Sequence, residues 1–274
     1  LKSRSLNVSL RVCILASSSK GNSTYVSSDT TSILIDAGIS ARRLTQGLAD
    51  IGADPAKLSG VCVTHEHDDH VRGIPTFAKK YSVPLFANHG TAEAMAQDAK
   101  CRHLSWNLIT TGNPFRIGDL EIDTFAVPHD AYEPIGFVVR SGPVQLGVAM
   151  DLGIPTALIR DRLRGSHAVI LEANHDERLL LEAERPWHLK QRIRGRQGHL
   201  SNDHTADVLA DIAGSDLRRV FLAHLSQDCN REELALSAAR RGLLKAGQSQ
   251  VEVRVAYPDR ATDVWAYAPD AALP

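Results

Sequence analysis

The chain has 274 residues, 43% of them hydrophobic and 23% charged, an ordinary composition for a globular protein with a sizeable core. Its 31 Lys and Arg against 32 Asp and Glu leave a net charge of −1, so attraction to a polyanion has to come from a local surface, not the whole-protein field. No apolar run reaches the ~18 residues that span a bilayer, which excludes a membrane helix.

Short apolar runs separated by Ser, Gly, Asn and Asp clusters predict strands over 10–15, 23–27 and 32–35. Leu44, Leu48 and Ile51 recur at helical spacing and predict a helix over 41–51. A strand is expected over 60–63, helices over 71–81 and 91–99, and a strand over 83–87. The middle of the chain turns to β structure, with strands predicted over 108–110, 114–117, 120–127, 135–140 and 144–149. Helices are then expected over 155–163, 177–183, 186–193, 202–213 and 231–246. Strands are expected over 168–172, 219–223, 251–256 and 264–267. No repeat or linker divides these elements. They read as one α/β domain over 1–274 with two β-rich layers and helices outside them.

Residues 1–11 lack the long apolar core of a secretory signal. Cys13, Cys62, Cys101 and Cys229 show no C-x-x-C spacing, and Cys13 and Cys62 sit in strand-like runs. Unpaired cysteines and a cytoplasmic location are therefore expected, with pairing of the four in an oxidising compartment as the alternative.

The segment Thr64-His65-Glu66-His67-Asp68-Asp69-His70 carries most of the chemistry. It reads H-x-H-x-D-H and follows the apolar run 61–63. An isolated histidine is ordinarily a surface or core residue, but three with an aspartate at a strand end are a metal-ligand pattern. A tight loop there can aim His65 and His67 at one ion and Asp69 and His70 at another. Imidazole suits zinc, iron and manganese, and carboxylate widens the choice towards harder cations. More ligands are needed, and three residues stand where predicted strands run out: His129 after 120–127, Asp151 after 144–149 and His224 after 219–223. Such residues also cap turns, but here they complete a dinuclear set. Asp151 could bridge two ions through its two oxygens.

These residues resemble the metallo-β-lactamase superfamily over about 10–257. The resemblance implies an αββα four-layer sandwich and two divalent metal ions, Zn or Mn with Fe also compatible. It places His65, His67 and His129 on one ion, Asp69, His70 and His224 on the other, and Asp151 between them. Asp36, in Leu34-Ile35-Asp36-Ala37-Gly38, would support the metal loop without ligating; read from the residues alone it is a turn aspartate after a strand. Within the superfamily, the opening Leu15-Ala16-Ser17-Ser18-Ser19-Lys20-Gly21-Asn22-Ser23 is similar to that of the YycJ/WalJ-type proteins. So are the segments 171–176, 189–193, 198–202 and 224–226, which occur in the same order. Ser18 stands where that opening usually has Gly, a change expected to stiffen the loop. The resemblance implies a phosphodiesterase or nuclease acting on DNA as a 5′-to-3′ exonuclease.

The expected chemistry is in-line attack on phosphorus by a metal-bridged hydroxide, with Asp69 and Asp151 fixing the nucleophile and the ions. His199, just before a predicted helix, is the expected contact to phosphate or acid for the leaving oxygen; the alternative is a loop histidine at a helix cap. The run 190–199 holds Lys190, Arg192, Arg194 and Arg196 beside His199 and is expected to meet a phosphate backbone. A solvated helix face is the competing explanation. Ser17, Ser19, Asn22 and Asn174 are further candidates for phosphate contact or for supporting the metal ligands from behind, with capping of polar turns as the competing explanation. A small-molecule hydrolase, a cyclic phosphodiesterase or lactonase-like enzyme on the same metal core, is the alternative function, because a fold does not set a substrate.

Overall fold

The computed structural model describes residues 10–267. Two seven-stranded sheets form its centre. The first runs in the order β14 (Trp265–Tyr267), β1 (Leu10–Ala16), β2 (Ser23–Ser27), β3 (Ser32–Ile35), β4 (Gly60–Cys62), β5 (Leu85–Asn88) and β6 (Trp106–Ile109). The second runs β13 (Glu252–Val255), β12 (Arg219–Ala223), β11 (Ala168–Glu172), β10 (Val144–Ala149), β9 (Ile135–Ser141), β8 (Leu120–Ala126) and β7 (Phe115–Ile117).

Central strands bury both faces, which explains their nearly continuous apolar runs. In β11, Ala168 and Ile170 face the other sheet and pack with Ile14, Ile35 and Phe137. Val169 and Leu171 point the opposite way, into a second core. That core lies against α5 (Ala157–Leu163), α8 (Asn202–Ile212) and α9 (Glu232–Lys245), through Ile159, Val208, Leu209 and Ala239. A third core joins the outer face of the first sheet to α1 (Ala41–Asp50), α3 (Ile74–Tyr81) and α4 (His89–Gln97), through Leu44, Leu48, Phe77 and Met95. Three cores between four layers make the αββα sandwich expected from the sequence.

The expected elements appear at nearly their predicted bounds, with one instructive difference. The helix predicted over 71–81 begins only at residue 74, as α3, and is preceded by a separate short helix, α2 (Asp68–Val71), within the ligand loop. Pro75 lies in the first turn of α3, where a missing N–H costs nothing. At the break, a Cβ on Gly73 would come within 2.2 Å of the Ile39 carbonyl oxygen, so only glycine fits there. Two further helices, α6 (Glu177–Glu182) and α7 (Trp187–Arg194), lie between β11 and α8 in the chain. All four cysteines are free and buried. Among the described residues no helix is long and apolar enough to cross a membrane.

Candidate metal centre

The strands place the site. β10, β11 and β12 are parallel, with Ala149 opposite Leu171 and Glu172 opposite Ala223. Their C-terminal ends therefore finish at one level, and Asp151, Glu172 and His224 gather there, the usual place for a site in a parallel sheet. β3 and β4, parallel in the first sheet, deliver Asp36 and the His65–His70 loop to the same edge. Asp36, Asp151 and His224 turn the chain with positive φ, at 60°, 52° and 57°. Asp and His tolerate this region better than most residues, but the surroundings still have to hold them in it.

The structure brings together all seven residues expected as ligands. Donor atoms of His65, His67 and His129 lie within 4.8 Å of one another, as do those of Asp69, His70 and His224. His65, His70 and Asp151 form a third such group that links the two. The donor set fits a metal by two observations. Nε2 of His65 is buried with no hydrogen-bond partner, and so are both carboxylate oxygens of Asp151. Asp151 Oδ2 does approach His70 Nε2 at 2.6 Å, but without hydrogen-bond alignment. Buried, unpaired imidazole nitrogen and carboxylate oxygen are costly unless a cation satisfies them.

Asp36 is tied to the loop by hydrogen bonds. Fully buried, it accepts from Thr64 N at 2.8 Å and from Thr64 Oγ1, and meets His70 Nδ1 at 2.7 Å. With Nδ1 so engaged, Nε2 of His70 is turned to the cluster, the arrangement that orients a metal-binding imidazole. A Cβ on Gly38 would collide with the Asp69 carbonyl at 1.6 Å, so the loop carrying Asp69 rests directly on that glycine.

Three residues expected at the substrate surface are instead behind the cluster. Ser17, 1% exposed, accepts from the His224 backbone N–H at 2.8 Å and donates to Asn22 Oδ1 at 3.0 Å. Asn22, also buried, aims its amide at Asp69 Oδ2, 3.4 Å away. Asn174 donates to the His224 carbonyl at 3.0 Å. They brace Asp69 and His224 through these hydrogen bonds. Ser18 introduces no strain, since its φ is not positive; its hydroxyl accepts from Lys20 N–H.

The basic run divides, with Arg192 at the cavity and the others away from it. Lys190 is 9% exposed and gives its ammonium to the Leu181 carbonyl at 2.6 Å, so it is withdrawn from any ligand. Arg194 pairs with Glu177 at 2.9 Å, and Arg192 pairs with Asp130 at 2.6 Å at the mouth of the site. Arg196 is exposed and makes no ion pair among the described residues. Helical periodicity spreads Lys190, Arg192 and Arg194 around α7, and Arg196 lies beyond its end.

The residue that sequence reasoning missed is Glu172. It is wholly buried at the end of β11, with Oε1 2.7 Å from His199 Nδ1 and 3.3 Å from His224 Nδ1. Its Oε2 accepts from Leu152 N and Leu200 N. Its signal was a lone acid closing an apolar strand, in the quoted segment 171–176. Burial opposes its ionisation, but the charge and hydrogen bond of His199 outweigh this and keep the carboxyl below the usual range. Burial likewise disfavours charged His199 and His224; Glu172 and Asp151 prevail, raising His199 well above the ordinary imidazole value and His224 to about 9. For Asp151, burial is outweighed by His224 and His70, and the carboxyl is held well below its usual value. His65 goes the other way: burial and the neighbouring His70 lower it well below the ordinary value. Glu172→Ala is expected to destabilise the fold by on the order of 1–3 kcal/mol for each buried amide left without its acceptor, read as a fall in Tm; an unchanged Tm contradicts this.

A cavity of about 170 Å³ opens over the cluster, lined by His67, Asp69, His129, Asp151, His199 and His224, with Ser19, Asp130 and Arg192 at its edge. His199, 23% exposed, presents its ring to this space while Glu172 holds Nδ1.

Comparison with known proteins agrees with this architecture. The Beta-lactamase superfamily domain matches residues 31–225. Exodeoxyribonuclease YycJ of Bacillus anthracis is 34% identical over 245 residues, 87% of this chain and 90% of its own. Exodeoxyribonuclease WalJ of Streptococcus pneumoniae is 33% identical over 231 residues, 83% of this chain and 86% of its own. Among solved structures, the metallo-beta-lactamase fold protein YhfI of Bacillus subtilis superposes with a TM-score of 0.71 at 15% identity, covering 94% of this chain and 99% of that one. Zn(2+)-bound PqqB of Methylobacterium extorquens gives 0.67 at 17% identity, covering 92% and 99%. These two likenesses concern the fold alone. With the fold and the His/Asp clusters in hand, and close identity along nearly the whole length of both relatives, the chain belongs to the metallo-β-lactamase superfamily, in the family of YycJ and WalJ.

Proposed function

We propose that this protein is a metal-dependent exodeoxyribonuclease that hydrolyses DNA phosphodiesters from a 5′ end. The observation that carries the reading is one open cavity in which two three-donor groups, joined by Asp151, stand beside a histidine backed by a buried carboxylate. Both close relatives bear the name exodeoxyribonuclease.

His65, His67 and His129 would hold one divalent ion, and Asp69, His70 and His224 a second, with Asp151 between them. Their chemistry suits Zn or Mn. Such ions supply Lewis acidity towards phosphate and an acidified water. The chain's own residues do the rest. Asp36 and Asn22 keep His70 and Asp69 in place. Glu172 accepts from Nδ1 of His199, which leaves Nε2 to face the cavity and give a proton to the leaving oxygen. Lys20, exposed beside Ser19, and Arg196 make no ion pair among the described residues and are the cations proposed to meet the DNA backbone.

The test is a parallel assay on 5′-phosphorylated DNA, RNA, a cyclic phosphodiester and a lactone, with Mn²⁺ or Zn²⁺ and with chelator. Release of nucleotides from the 5′ end, abolished by chelator, is expected. Turnover of the cyclic phosphodiester or lactone without DNA cleavage would replace this reading by a small-molecule hydrolase. The Lys20→Gln, Arg196→Gln double variant is expected to raise KM for single-stranded DNA. It should also flatten the salt dependence by about 0.7 in log–log slope for each phosphate contact removed. An unaltered slope would place the DNA elsewhere.

A further inference from the structure

A second cavity, of about 190 Å³, adjoins the metal-centre cavity. Asp130, Arg192 and His199 line both, so a molecule held at the cluster extends naturally into the second. Leu189 and Ile193, half-buried on one face of α7, give it an apolar side, and Arg185 stands at its edge. We propose that this cavity is a nucleobase subsite, taking the base of the nucleotide that carries the scissile phosphate. The proposal rests on the DNA-hydrolysis reading above.

Charge and shape select a base over a second phosphate. Both guanidinium groups are already paired with carboxylates, Arg192 with Asp130 and Arg185 with Asp228. A phosphate would have to displace those carboxylates and lie against the Asp130 charge. A base brings no charge, packs its edge on Leu189 and Ile193, and stacks on a guanidinium plane that its ion pair already holds still. The volume is below the 300–1,000 Å³ of an ordinary ligand pocket, enough for part of a nucleotide and far too small for a duplex. The nucleotide in it has to be unpaired.

The wall of this cavity is fastened to the reaction centre. His199 N–H donates to the Ile193 carbonyl at 2.8 Å, and Asp130 N–H donates to the Gln197 carbonyl at 3.1 Å. His129 Nδ1 meets the Gly198 carbonyl at 3.1 Å. A base seated on α7 therefore sets the position of its phosphate relative to His199 and His129, and binding there is felt in the chemical step.

The experiment compares single-stranded, 5′-phosphorylated oligodeoxynucleotides that differ only by an abasic tetrahydrofuran unit at the first or second nucleotide, cut by the Mn²⁺-loaded protein. One abasic position is expected to lower kcat/KM by roughly 5- to 150-fold, the span of one lost stacking contact. Leu189→Ser and Ile193→Ser are each expected to bring that ratio towards one. Tm and metal content at wild-type levels establish that they fold, and either variant suffices. Equal rates for all oligonucleotides overturn the subsite, as does a ratio that persists in both variants. A rate that depends on the terminal phosphate and not on the base assigns the cavity to phosphate and also overturns it. No cleavage of any oligonucleotide by metal-loaded protein overturns the DNA reading, and the subsite falls with it.

Discussion

Asp151→Ala is expected to lower phosphodiester hydrolysis by more than about 100-fold, beyond the 10–100-fold typical of losing an outer partner of a metal site. The carboxylate lies 3.7 Å from His65 Nε2 in one group and 2.6 Å from His70 Nε2 in the other, with both oxygens lacking a hydrogen bond. No other acid in the cluster reaches both groups of donors. Metal analysis should show a fall from two equivalents. Asp151 also turns the chain at φ 52°, a conformation that costs alanine about 1–2 kcal/mol and that asparagine tolerates. Asp151→Asn therefore removes the charge while keeping the turn. If both variants lose activity and metal together, the bridge is the cause. If Asp151→Asn keeps its metal and its rate, the backbone and not the carboxylate is what matters there.

His199→Ala is expected to keep near-normal metal content and lose about 10²- to 10⁴-fold in kcat. The residue is not one of the seven expected ligands; its donor atom lies within 4.8 Å of those of Asp151, Glu172 and His224, and its Nδ1 is committed to Glu172 at 2.7 Å. A nitrophenyl phosphodiester, whose leaving group needs little protonation, should recover part of the loss. His224→Ala is the contrast: it should weaken one metal site and be partly rescued by high Mn²⁺. A metal equivalent lost from His199→Ala would make that residue a ligand. An equal defect for good and poor leaving groups would reduce it to positioning.

Much of the molecule was legible along the chain. The strand runs, the loop 64–70 and the strand-end positions of His129, Asp151 and His224 are local patterns. Alternation and turn residues set where strands stop, and the chemistry of a parallel sheet sits where they stop. The chain by itself thus determined the two β layers, the helices and the seven clustered residues. It could not show which polar neighbours face the cavity and which lie behind it. Ser17, Asn22 and Asn174 could be read as phosphate contacts or as supports for the ligands, and each is turned inwards to brace Asp69 or His224. Lys190 looked like part of a basic surface, yet its ammonium is spent on the Leu181 carbonyl. Glu172 looked like the end of a strand, yet it joins His199, His224 and two backbone amides at one buried point. Each of these outcomes depends on contacts between residues 9 to 207 positions apart in the chain. Periodicity reports only which face of its own element a side chain occupies, so the partner across the interface was decided by the packing of the layers.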